Sequence, residues 1–191
     1  MNLVDWTRTV EPASSPVTVA EAKLHCRVDI DNDDDAFEDI FIPAATRTVE
    51  EYLSAGLFTQ TWQLAADDWA DEIPLPRAKK LQSITAVQYY AADGTLTTLS
   101  TSIYGTLTTG EPAVLVRKPN QAFPSLQSDR RARVLVTYVV GWSDVAAVPA
   151  WAKTAILEIV RLRYSGQQAW NGDIEAMLAP HRVWLKPVAC A

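Results

Sequence analysis

The sequence predicts a mixed α+β fold: a small helical bundle built from N- and C-terminal helices, with an antiparallel β-rich region inserted between them. Three observations predict it. Apolar residues recur at three- and four-residue spacing only near the two ends of the chain, in 16–56 and 149–182. Between them, 57–148 holds short runs rich in Val, Ile, Thr and aromatics, separated by turn residues. The strongest of these runs, VLVTYVV at 134–140, is apolar on both faces, as a central strand requires. One 191-residue domain with 183–191 as an extended tail is the expected organisation.

The elements follow in order. TVAE at 18–21 is a capping box, so a short helix is expected over 18–27 with Ala20, Ala22, Leu24 and Val28 toward its buried side. A longer helix is expected over 34–54, burying Phe37, Ile40, Phe41, Ala44, Ala45, Val49, Tyr52 and Leu53, with Gly56 as its stop. Pro43 interrupts it, and a kink is expected there because proline removes one backbone hydrogen bond and crowds the preceding turn. Strands are expected at 59–69, 73–76, 81–90, 95–100, 102–107, 113–118 and 134–140, with a hairpin turning at Asp93-Gly94. The loop 119–132 has two prolines and little periodicity. Pro149 suits a helix start, Ala152 to Leu162 build its apolar face, and Gly166 can cap it. A last short helix is expected in 173–182.

Composition narrows the function. The chain is 48% hydrophobic and 21% charged, which is ordinary for a globular protein. Net charge is −6, with 12 acidic and 4 basic residues in 1–56, 8 of each in 57–148, and 3 and 5 in 149–191. That is not the clustered basic face of a protein gripping nucleic acid. An acidic front and a mildly basic back suit head-to-tail contacts between copies, or else the acidic end is a solvated helical face. No signal peptide and no membrane-spanning run is visible, and Cys26 and Cys190 are expected to be free thiols, so a soluble protein made in the cytoplasm is expected.

Five aspartates lie in DIDNDDD, at 29, 31, 33, 34 and 35. A calcium loop needs glycine at its sixth position and glutamate at its twelfth, and neither register starting at Asp29 or Asp31 supplies them. Asp33 or Asp34 is therefore expected to cap the following helix, with the other carboxylates near its positive end. Adjacent His25 and Cys26 point about 100° apart on a helix, and only His181 or Cys190 could complete a dyad with them. Zinc spacing, dinucleotide, phosphate-loop and nucleophile-elbow motifs are absent from the sequence. No catalytic residue, metal or cofactor is assigned. DRRAR at 129–133 is the one basic cluster; Arg130 and Arg131 are candidates to touch phosphate or an acidic partner, against a solubilising loop. The tail VWLKPVACA carries Val183, Trp184, Leu185 and Pro187 after the last helix, a candidate docking segment that could add to a sheet edge.

The ordered series of segments resembles the tailed-phage head–tail connector (adaptor) family, also found in phage-like gene transfer agents. PVTVAEAKLHCRV, the Asp-rich turn, a long helix ending VEEY, and the strand containing QTW make up the opening of the series. LPRAKKLQSITAVQYYAADGT resembles the family hairpin, and VLVTYVVGW with VPAWAKTAI resembles its late strand and final helix, so the likeness runs over about 16–170. Two departures are Pro43 and Lys79-Lys80, where a helix former and a proline are common. The resemblance implies a structural virion protein, not an enzyme. It would form a ring, usually of twelve copies, in the neck of the particle. It would bind the portal protein on one side and a stopper or tail-completion protein on the other, with double-stranded DNA passing through unbound. The alternative from the residues alone is a non-catalytic ligand- or peptide-binding module that uses Tyr89, Tyr90 and Trp142 of the β region.

Overall fold

A computed structural model describes residues 3–185. The chain divides into two compact units, each built from discontinuous segments: a β unit of 1–11, 59–141 and 183–191, and a helical unit of 12–58 and 142–182. The α+β class expected from sequence is borne out.

In the helical unit, α1 (Val19–Cys26) begins at a complete capping box, in which Thr18 accepts from the Glu21 N–H and Glu21 accepts from the Thr18 N–H. It ends with Arg27 in the left-handed region at φ 56°. Only Ala22 of α1 is buried; Leu24, expected inside, is 81% exposed. α2 (Asp34–Ala36) is a single turn that passes into a π turn over Phe37–Phe41 and then into α3 (Ile42–Leu53). The Ile42 N–H bonds to the Phe37 carbonyl, five residues back. Pro43 falls in the first turn of α3, directly after this wide turn, so the helix changes register just ahead of the proline. The extra residue also rotates the apolar stripe: Ile42 takes the buried position and Ile40 is turned out, 60% exposed. α3 stops at Ser54, left-handed at φ 52°, with Ala55 N–H on the Glu50 carbonyl, so Gly56 is not the cap. Buried Glu50 accepts from the Leu57 N–H at 2.7 Å and anchors the turn that follows.

α4 (Ala150–Tyr164) is the hub of this unit, packing on α1, α3 and α5 (Gly172–Leu178). It buries Ala152, Ala155, Ile156, Ile159, Val160 and Leu162 at helical spacing. Gly166, at φ 69°, and the Gln167 N–H on the Leu162 carbonyl close it in a Schellman motif, as the glycine predicts. Tyr164 stacks on Phe37 with centroids 5.0 Å apart and meets Phe41 edge-on at 5.8 Å.

The β unit holds two sheets. The larger has the order β1-β2-β8-β4-β5, all antiparallel, from β1 (Leu3–Val10), β2 (Gln60–Ala66), β4 (Leu81–Tyr90), β5 (Leu96–Thr98) and β8 (Val134–Val140). The smaller has the order β3-β7-β6, from β3 (Glu72–Pro74), β6 (Tyr104–Leu107) and β7 (Val114–Arg117). One core cluster joins them: Leu64, Val87, Val134, Val136 and Tyr138 from the larger sheet meet Ile73, Tyr104 and Leu115 from the smaller. The Tyr138 hydroxyl, fully buried, donates to the Pro76 carbonyl at 2.7 Å, and burial pushes its pKa up. β8 is the central strand its two-faced apolarity predicts. β1 was not expected: LVDWTRTV has strand-forming residues, but no turn signal in front of it marks a boundary.

Candidate partner-binding surfaces

The aspartate run is bound into the helical unit. The Lys23 ammonium lies 2.7 Å from Asp31 and 2.6 Å from Asp34, and these contacts raise the Lys23 pKa. Asp33 does not cap α2 through its side chain, nor does any aspartate; its carboxylate accepts from the Tyr164 hydroxyl at 2.7 Å instead. The run therefore serves as a latch from the α1–α2 turn to α4 and to Lys23. Asp29, Asp35, Glu38 and Asp39 remain exposed beside Ile30 and Ile40. Among the described residues no group of three His, Cys, Asp or Glu side chains is arranged to hold a metal ion.

His25 and Cys26 do not form a nucleophile with its base. His25 Nε2 lies 3.2 Å from Glu158, which Arg161 holds by two hydrogen bonds from one helical turn away. The Arg161 bonds lower the Glu158 pKa to about 2 against the opposing effect of partial burial. Burial raises the pKa of the half-buried Cys26, so the thiol is held in its unreactive form. His181 stacks on Trp151 with ring centroids 4.0 Å apart, and Cys190 lies outside the described residues.

The predicted partner-binding residues separate into three sets. Val183 is 4% exposed, which corrects its place in an uncovered triplet; an apolar side chain next to a compact core packs on it where it can. Trp184 is 65% and Leu185 37% exposed, while Pro187 lies outside the described residues. Arg130 lies over the Tyr90 ring, 3.5 Å from its centroid, and Arg131 pairs with Asp67 at 3.2 Å. Asp67 also accepts from the Ala132 N–H, which lowers its pKa. The basic loop is thus fastened to the β unit from both sides. Of the aromatics offered for ligand binding, Tyr89 packs 5.8 Å from Trp69, which stacks on Phe123 at 4.4 Å, and Tyr90 lies under Arg130.

Sequence reasoning missed the outermost strand. Among the described residues β1 pairs only with β2, and it presents Val4, Trp6 and Val10 at the surface of an eight-residue edge. Its β-branched and aromatic content was the available signal. Inside that edge, Trp62 is approached by Arg8 at 5.8 Å and Arg77 at 5.4 Å, and its indole N–H donates to Gln60.

Among the described residues no helix is long and apolar enough to cross a membrane. The model of the family described as phage gp6-like head-tail connector protein matches residues 16–110. No curated protein matches the chain. Solved structures match nearly end to end. A chain in the neck of an empty gene transfer agent (GTA) particle, computed with C6 symmetry, has a TM-score of 0.79 at 17% identity and covers 97% of this chain and 99% of its own. A chain in the virion of a native GTA particle has a TM-score of 0.79 at 18% identity, with the same coverage. A chain in the neck of a native GTA particle computed with C12 symmetry has a TM-score of 0.64 at 16% identity, over 95% of this chain and 98% of that one. At these identities the likeness bears on fold.

Proposed function

Over residues 16–110 this chain belongs to the phage gp6-like head–tail connector family, and from that premise we propose that it is a structural head–tail connector of a tailed phage or phage-like particle. The match that carries the proposal covers the capping box, the Asp-rich turn, α3 and the hairpin of β4 and β5, the segments on which the resemblance in sequence rests. Fold likeness to chains of gene transfer agent particles extends that support over the rest of the chain.

In this reading the protein sits in the neck of the particle as a ring, and twelve copies is the number the family suggests. The ring joins the portal protein to a stopper or tail-completion protein and assembles in the host cytoplasm. Double-stranded DNA passes through without specific binding, a role served by a net charge of −6. No catalysis is assigned: among the described residues His25 lies against Glu158, His181 stacks on Trp151, and burial raises the pKa of Cys26. The exposed Trp184 and Leu185, with the residues after them, are the segment proposed to dock on the portal, and Arg130 and Arg131 a secondary contact.

Two measurements test this. Deleting the gene should leave heads without tails in electron micrographs; tailed particles in undiminished number would sink the connector reading. Truncation after Val183 should leave the circular dichroism and melting curve intact and abolish binding to purified portal rings. Undiminished portal binding would remove the docking role from the tail alone.

A further inference from the structure

We propose that neighbouring copies meet through the two opposite outer faces of the β unit, the smaller sheet of one copy lying on the larger sheet of the next. This rests on the reading of the protein as a ring-forming connector and specifies the surfaces that close the ring.

The first observation is charge. Strands β2, β4, β5 and β8 together hold 27 residues and not one Asp, Glu, Lys or Arg. In a chain that is 21% charged, about six would be expected by composition alone. The inner face of these strands is core, so its lack of charge is ordinary. The outer face is different: Ala65, Leu135, Thr137, Val139 and Ala86 line it and stay partly exposed. An open antiparallel sheet that faces water for good usually carries charged side chains there, both for solubility and to discourage sheet stacking. Depletion of charge at the centre of a surface is the mark of a protein–protein interface, because a charge buried without a partner is costly to desolvate.

The second observation is the other side of the same unit. In β6 and β7 the residues turned away from the core are Gly105, Leu107, Val114 and Val116, paired as Gly105 with Val116 and Leu107 with Val114. Leu107 is 48% exposed, and charges stand only at the rim, on Glu72 and Lys118. Gly105 keeps this patch flat: a Cβ there would come within 3.9 Å of Val116 and 3.8 Å of Lys118 on that face. On the outer face of the larger sheet charge also stands toward the edges, on Asp5 of β1 and on Arg130, which lies over Tyr90 beside edge strand β5.

The third is placement. The two sheets share one core cluster between them, so their outer faces lie on opposite sides of the unit. Two different uncharged faces on opposite sides make a heterologous, head-to-tail contact, the kind that generates rings when its rotation closes. A two-fold dimer would need only one self-complementary patch.

The test is crosslinking in assembled particles. In a Cys26→Ser, Cys190→Ser background, Val116→Cys and Thr137→Cys are introduced together, and particles purified from cells making this chain are treated with a short bismaleimide. A ladder of dimers, trimers and higher multimers is expected from the double variant, and loss of that ladder from either single variant. Leu107→Glu, at an exposed site that leaves the fold intact, should lower the copies per particle at least tenfold. If the chain is in the particles and the double variant gives no ladder, the interface proposal is overturned and the connector reading stands. Equal dimer yield from a single variant means an isologous contact and overturns it as well. Absence of the chain from the particles overturns both.

Discussion

Single side chains in this protein are held by specific polar contacts whose loss can be measured. Tyr138 is the largest of the fully buried residues, and its hydroxyl serves the buried Pro76 carbonyl. Tyr138→Phe leaves that carbonyl unpaired in the core, so a loss of about 1–2 kcal/mol in urea unfolding is expected, with the fold unchanged. An unchanged midpoint would mean that water replaces the bond. Glu158 gives a pH signature. Its folded pKa of about 2 lies below its ordinary value of 4.5, because Arg161 and then His25 favour the carboxylate. A depressed acid stabilises the fold above its unfolded pKa and loses that contribution as pH falls through the folded one. The window is therefore from about pH 4.5 down to about 2. Glu158→Gln should flatten the stability curve in that window relative to the parent chain and change its shape little above it. Equal acid slopes in the two proteins would show that the Arg161 pair contributes nothing to acid lability.

At the scale of elements, the π turn at Phe37–Phe41 decides which residues face inward. Ile40→Ser should therefore change stability by less than about 0.5 kcal/mol, as expected for an exposed site. Ile42→Ala should cost about 2–5 kcal/mol, as a cavity in a packed core does. The reverse order of effects in chemical denaturation would restore a continuous α-helix through Pro43. This turn also shows where reading from sequence stops. Periodicity locates the helix and finds Phe37, Val49 and Leu53, because those positions depend only on local spacing. It cannot see a one-residue re-registration, because the apolar stripe of Ile40, Phe41 and Ile42 satisfies either phase. The same limit explains the aspartates. Their failure to form a calcium loop is legible in register, but Asp33 to Tyr164 and Lys23 to Asp34 are contacts across the fold, with no mark in the local sequence. Strands β4 and β8 were legible to the residue, since each ends at turn or charged residues. β1 was not, because an edge strand at the front of a chain has only its composition to announce it. The candidate surfaces were least legible of all: Leu24 and Ile40 read as core and are exposed, while Val183 reads as part of an uncovered tail and is buried, and only the packing tells such residues apart.

For the whole molecule, the chain order implies that the β unit was threaded into the helical one, and this can be tested by taking it out. The chain leaves the helical unit after Phe58 and re-enters at Trp142. Those two residues form a parallel bridge, and the Trp142 N–H donates to the Leu57 carbonyl at 3.1 Å, so the two ends lie side by side within the helical unit. A linker of a few Gly and Ser residues can span that gap at little entropic cost, since closure entropy grows only slowly with loop length. We therefore expect a chain of 12–58 joined to 142–182 to fold alone. Its core would keep Phe37, Ile42, Leu53, Ile156 and Ile159, all fully or almost fully buried and all drawn from this unit. The expected result is helical circular dichroism with a cooperative thermal transition, at a lower midpoint than the full chain because a unit of this size buries less of its surface. Helical signal without a cooperative transition, or a disordered spectrum, would show instead that the helical core depends on the β unit. The β region would then be an integral part of one fold, despite its separate core cluster.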